Sequence, residues 1–71
     1  MERKLKIIVD GIETEMLEGT TVSRLLEILE EPLKSDLIIE INKRFVHAKD
    51  YSNRVLKGGD SVEIIHLDIG G

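Results

Sequence analysis

The sequence predicts an α+β fold in which one helix packs on one face of a mixed sheet of four to five strands. Five segments show the two-residue alternation or the β-branched apolar run that is typical of strands. One segment places apolar residues at helical spacing, and turn signals rich in glycine and asparagine separate the elements. All 71 residues are expected to form one domain, residues 1–71, because so short a chain cannot build a second core.

The first two strands are predicted to form a hairpin. In residues 5–10 leucine, isoleucine and valine occupy every second position, and in residues 12–16 glutamates alternate with less polar residues. Asp10 and Gly11, which lie between them, are typical of a two-residue hairpin turn. We therefore expect the two strands to pair antiparallel.

A single helix is predicted after this hairpin. Gly19 closes the second strand, and the hydroxyl of Thr20 or Thr21 can cap the helix by accepting a hydrogen bond from a backbone N–H group. The apolar positions recur at i, i+3, i+4 and i+7, at Val22, Leu25, Leu26 and Leu29. We expect this stripe to be buried on the sheet, the opposite face to be polar, and Pro32 to end the helix.

Three more strands are predicted in the second half of the chain. They are the β-branched residues 37–41, a short return strand at residues 45–46 and a last strand at residues 62–65, which follows a glycine turn. A compact sheet needs central strands, and the family resemblance described below places the first and last strands there, side by side and parallel. Phe45 and Tyr51 are expected to pack, and residues 67–71 are expected to form a flexible tail.

The composition argues against several classes of function. The chain has no cysteine and only two histidines, His47 and His66, without a spacing partner, so no thiol chemistry and no metal site is predicted. Its net charge of −4 disfavours binding to nucleic acid and favours a protein partner with a basic surface. No apolar run is long enough to span a membrane, and we expect a cytoplasmic protein that is monomeric when free.

The last two residues, Gly70 and Gly71, are the main functional signal. Residues without a Cβ atom can thread a narrow channel and deliver a terminal carboxylate to the active site of another protein. Reaction with ATP would convert that carboxylate into an acyl-adenylate, which sulfide or a persulfide can attack. The chain has no phosphate-binding glycine loop and no nucleophile beside a base, so it is predicted to be a substrate rather than an enzyme. A tail without a function is the alternative interpretation.

Strand parity predicts a docking surface beside this tail. If the last strand buries Val62 and Ile64, the opposite face carries Glu63, Ile65 and Leu67. The same face of the neighbouring strands would carry Ile8 and Ile38. We expect these isoleucines to form one exposed apolar patch, of the kind that marks a protein contact. The negative charges of Glu63 and Asp68 are expected to guide the chain toward arginines of the partner.

Several segments resemble the ThiS sulfur carriers of thiamin biosynthesis. They are the hairpin turn at Asp10 and Gly11, EGTTV at residues 18–22, INKRFV at residues 41–46, LKGGDSVEI at residues 56–64 and the terminal Gly-Gly. Together these segments cover nearly the whole chain. The related MoaD carriers commonly have prolines before the terminal glycines, whereas residues 65–69 have none, which favours ThiS.

The resemblance implies a ubiquitin-like β-grasp fold and a specific chemistry. A ThiF/MoeB-type enzyme would use ATP and Mg²⁺ to adenylate Gly71, and the adenylate would become a thiocarboxylate that donates sulfur to a ThiG-type thiazole synthase. Asp68, Ile69 and Gly70 would form the tail that enters these enzymes. The chain itself would bind no cofactor. Three alternatives stay open: a MoaD-like subunit or a carrier for another sulfur pathway, a ubiquitin-like modifier of lysines, and a β-grasp binding module with an incidental tail.

Overall fold

The computed structural model describes residues 3–32 and 36–67, which form one five-stranded sheet and one α-helix. The strands are β1 (Lys4–Val9), β2 (Ile12–Leu17), β3 (Leu37–Ile41), β4 (Arg44–Val46) and β5 (Ser61–His66), and the helix is α1 (Val22–Ile28). A single 3₁₀ turn (Ala48–Asp50) lies between β4 and β5.

The sheet has the strand order β2-β1-β5-β3-β4. β1 and β5 are parallel neighbours, with Val9 opposite Val62, and the other pairs are antiparallel. The predicted central placement of the first and last strands is therefore confirmed. The sheet is mixed and has five strands, and the β-grasp arrangement that the sequence indicated is confirmed.

The core lies between the helix and one face of the sheet. The residues that are almost completely buried are Ile7, Val22, Leu25, Leu26, Ile39, Ile41, Leu56 and Val62. Leu5 and Ile64 pack against this core while partly exposed. The predicted inward parity of β1, β3 and β5 is confirmed by this burial pattern.

The helix begins as expected but ends earlier than predicted. Thr21 is its N-cap and its side chain accepts a hydrogen bond from the backbone N–H of Arg24 at 3.1 Å. The helix stops at Ile28, before Pro32, because Glu30 adopts a left-handed φ of 58°. The N–H of Glu30 then bonds the Glu27 carbonyl and that of Glu31 the Leu26 carbonyl, which is a Schellman motif.

Two side chains that were expected in the core are not buried. Leu29 lies beyond the helix end and is 37% exposed, and Phe45 is 55% exposed because strand parity turns it to the face opposite the helix. Tyr51 is buried as predicted, and burial raises the pKa of its phenol. No helix among residues 3–32 and 36–67 has the length and hydropathy of a membrane span.

Candidate functional site

β5 is the strand that leads to the terminal glycines, and its first residue is held firmly. The buried carboxylate of Asp60 accepts hydrogen bonds from the Asn42 side chain at 3.0 Å and from the Lys57 backbone N–H at 2.8 Å. The Asn42 side chain in turn accepts a bond from the Ser61 N–H at 2.9 Å. This polar cluster fixes the start of β5 between β1 and β3.

The second half of β5 loses its β1 neighbour, because β1 ends where Val9 lies opposite Val62. Asp10, the first residue of the hairpin turn, then covers this side. Its backbone N–H donates to the Val62 carbonyl at 2.9 Å, and its Oδ1 accepts a bond from the Ile64 N–H at 2.9 Å. The predicted turn residue therefore also caps the strand that carries the tail.

On its other side, β5 is paired with β3 up to its last residue, His66, which lies opposite Leu37. Leu67 donates its backbone N–H to the Asp36 carbonyl at 2.9 Å, and His66 Nε2 lies 3.1 Å from Glu31 Oε2. Leu67, which was predicted to begin the tail, thus still follows the sheet. Asp68, Ile69, Gly70 and Gly71 lie outside the described residues, so the predictions on them remain predictions.

On the face of the sheet opposite the helix, the residues of the predicted apolar patch fall into two separate groups. Ile38 and Ile65 are directly opposite each other on β3 and β5. Ile8 instead lies opposite Ser61, four residues before Ile65, which is about 13 Å along the strand. Ile8 and Leu67 are exposed, and Ile38 and Ile65 are half-buried. The expectation of a single patch is therefore wrong for Ile8, because the parallel register shifts β1 toward the start of β5.

Two residues that the sequence argument missed complete the surface around Ile65. Glu40 lies directly opposite Glu63, and Phe45 lies on the other side of Glu40 on β4. Parity could have placed Glu40, since it lies between the buried Ile39 and Ile41. We call the resulting surface the exit face; it consists of Ile38, Glu40, Phe45, Glu63, Ile65 and Leu67.

The charges of the exit face are not balanced within the sheet. Like charges directly opposite each other on a sheet are destabilising, and Glu40 and Glu63 form no ion pair with any described residue. A basic side chain of a partner would relieve their repulsion, while Ile38, Ile65 and Leu67 offer it apolar area. Within the described part of the chain no three potential ligands are grouped to hold a metal ion.

Comparisons with known proteins agree with this architecture. A family model described as the ThiS family matches residues 3–71. Among solved structures, the chain is similar to the thiamine biosynthesis protein ThiS from Geobacter metallireducens, with a TM-score of 0.82, 23% identity and coverage of 94% of this chain and 100% of that one. A search of curated proteins gave no significant match. On the family match and the shared β-grasp fold, the chain belongs to the ThiS family.

Proposed function

We propose that this protein carries sulfur as a thiocarboxylate on Gly71 and supplies it for the synthesis of the thiazole of thiamin. The observation that supports the proposal best is the ThiS family match, which extends over residues 3–71 and so includes the terminal glycines. The fold agrees with such a role, because the central strand β5 is anchored on both sides and is the last strand before Gly71 in the sequence.

The chemistry requires a partner enzyme. A carboxylate is a poor electrophile, so a ThiF/MoeB-type enzyme that binds ATP and Mg²⁺ would activate it: an oxygen of Gly71 attacks the α-phosphorus and pyrophosphate leaves. Sulfide then attacks the acyl carbon, the C–O bond to the phosphate breaks, and AMP departs. The product is a thiocarboxylate that a ThiG-type thiazole synthase accepts. In this scheme the protein is a substrate of both enzymes.

The exit face is the surface that we propose for docking of the activating enzyme. Ile38, Ile65 and Leu67 provide apolar area at the end of β5, and Glu63 with Glu40 attracts a basic side chain. Ile8 lies apart from this surface, so we expect it to contribute less to docking than the residues around Ile65.

The proposed function is tested by intact-mass analysis. The purified protein is incubated with a ThiF-type enzyme, ATP, Mg²⁺ and sulfide, and the expected product carries one sulfur in place of one oxygen at Gly71. Omission of ATP, or removal of Gly70 and Gly71, is expected to abolish the mass change. An unchanged mass with an enzyme that modifies its own cognate carrier would contradict the proposal.

The docking surface is tested by comparing Ile65→Asp with Ile8→Asp. Both substitutions place a charge on the same face of the sheet, but only the first lies on the exit face. We expect Ile65→Asp to slow adenylation strongly and Ile8→Asp to slow it little, with both variants folded by circular dichroism. Equal rates for the two variants would refute the exit face as the docking surface.

A further inference from the structure

A second surface of the molecule lies at the opposite edge of the sheet, along β2. The backbone groups of Lys6, Ile8 and Asp10 form hydrogen bonds on the β5 side of β1. The residues between and before them, Leu5, Ile7 and Val9, therefore form their backbone hydrogen bonds with β2. Their partners on β2 are Ile12, Thr14 and Met16. The N–H and C=O groups of Glu13 and Glu15 therefore point away from the sheet, and they have no partner in the described part of the chain.

A groove between β2 and the helix borders this edge on the helix side of the sheet. It is lined by Thr14, Met16, Leu25, Ile28 and Leu29, together with Glu15, Leu17, Thr20 and Arg24. Ile28 is 52% exposed and Leu29 is 37% exposed, although both are large apolar side chains. Leu29 became exposed because the Schellman motif ends the helix early. The groove is thus an apolar channel that runs beside unpaired strand backbone.

The other face of β2 carries charge of one sign. Glu13 and Glu15 contact Lys6 and Lys4 of β1 at 3.6 and 3.7 Å, and all four side chains are more than half exposed. A carboxylate has two oxygens and accepts further donors, so each glutamate retains the capacity to bind a second cation on its open side. If a strand were added beside β2, every second side chain of that strand would lie next to these glutamates, and the side chains between them would lie in the groove.

We propose that the β2 edge binds an extended segment of a partner protein in which basic residues alternate with apolar residues. The partner's basic side chains pair with Glu13 and Glu15, as Lys4 and Lys6 do from β1, and its apolar side chains enter the groove against Ile28. A second copy of this chain does not fit, because antiparallel pairing of two β2 strands would bring glutamates opposite glutamates. The strand β1 separates this edge from β5, so both surfaces can be occupied together.

The test titrates ¹⁵N-labelled protein with a capped hexapeptide in which lysine alternates with leucine or isoleucine. We expect the amides of Glu13 and Glu15 to shift and to become protected from hydrogen exchange. A capped peptide of the same composition, with the lysines grouped at one end, should bind about tenfold more weakly, since it cannot satisfy both faces of the edge. Equal binding of the two peptides, or shifts elsewhere only, would overturn the proposal.

Two substitutions separate strand addition from general attraction to an acidic protein. Glu15→Pro removes an N–H that points outward and breaks no bond to β1, so the fold is expected to survive. Binding should fall about tenfold below that of Glu15→Gln, which loses the same charge but keeps the N–H. Ile28→Ser should weaken binding by a similar factor, whereas the matched control Val55→Ser, also at an exposed apolar residue, should not. Shifts of the Glu13 and Glu15 amides with protein concentration alone would instead indicate self-association and would also overturn the proposal.

Discussion

The outer surface of the sheet, which lies on the side away from the helix, has two halves that differ in the charges of their cross-strand pairs. On β1 and β2, Lys6 lies opposite Glu15 and Lys4 lies opposite Leu17, and the lysines form two ion pairs, Lys4 with Glu15 and Lys6 with Glu13. On β3 and β5 the pairs are Glu40 with Glu63 and Ile38 with Ile65. One half is electrostatically satisfied, while the other combines repulsion with exposed apolar area.

This contrast indicates that folding alone does not explain the exit face. The buried side of the same strands already supplies the core, and either half of the outer face would be stable with paired charges. Like charges directly opposite each other on a sheet are destabilising, so the proposed partner, which supplies a cation and covers the isoleucines, would account for the exception. The half formed by β1 and β2 is distinguished instead by the unpaired backbone groups along the edge of β2.

The largest expected effect comes from removal of Gly70 and Gly71. We expect complete loss of thiocarboxylate formation, because the reacting carboxylate would be misplaced and carried by Ile69. The urea midpoint should stay unchanged, since the deletion leaves every residue of the described core in place. Intact-mass analysis and urea denaturation measure the two effects. Sulfur loading of the shortened chain would contradict the prediction.

The two sides of β3 are expected to respond very differently to truncation. Ile39 is completely buried, and Ile39→Ala should lower the free energy of unfolding by about 3 kcal/mol through loss of packing. Ile38→Ala on the exit face should cost about 1 kcal/mol or less and yet slow adenylation more than Glu15→Gln does. Urea denaturation and adenylation rates check the pair. If the Glu15→Gln variant were adenylated more slowly than the Ile38→Ala variant, the proposed difference between the two halves would be contradicted.

Asp10 joins the two halves, and its substitution tests that link. Asp10→Ala should cost about 1 to 2 kcal/mol, because it removes the acceptor for the Ile64 N–H and places alanine at a left-handed φ of 49°. Asp10→Asn keeps a side-chain oxygen and tolerates this φ, so we expect a cost of about 0.5 kcal/mol or less. Hydrogen exchange at the Ile64 amide should increase only in the alanine variant. Equal exchange in both variants would show that the side-chain cap is unimportant.

The smallest expected effects have opposite signs in the two halves. Glu63→Gln relieves repulsion with Glu40 and should stabilise the fold by about 0.3 kcal/mol, whereas Glu15→Gln removes an ion pair and should destabilise it by a similar amount. Both changes should fade at high salt because screening weakens interactions between exposed charges. Glu63→Gln should nevertheless slow adenylation. Destabilisation by Glu63→Gln at low salt would show that the two glutamates do not repel.

Local patterns in the sequence were enough to predict most elements of the fold. The strand at Leu37–Ile41, the hairpin turn at Asp10 and the cap at Thr21 depend on residue preferences within a few positions, and the structure has all three. The end of the helix was predicted wrongly because the positive φ of Glu30 is not a preference of glutamate. The exposure of Phe45 was missed because a three-residue strand carries too little alternation to fix its parity.

The sequence by itself determined the fold class and the inward residues of β1, β3 and β5, and it indicated the terminal glycines as the candidate functional site, because each depends on residue type or short-range periodicity. Only the tertiary structure decided which outward residues become neighbours. The register of β5 against β3 joins Ile38 to Ile65 and Glu40 to Glu63, and its parallel register against β1 moves Ile8 away. Registers between strands distant in sequence follow from packing of the whole core, and no local pattern encodes them.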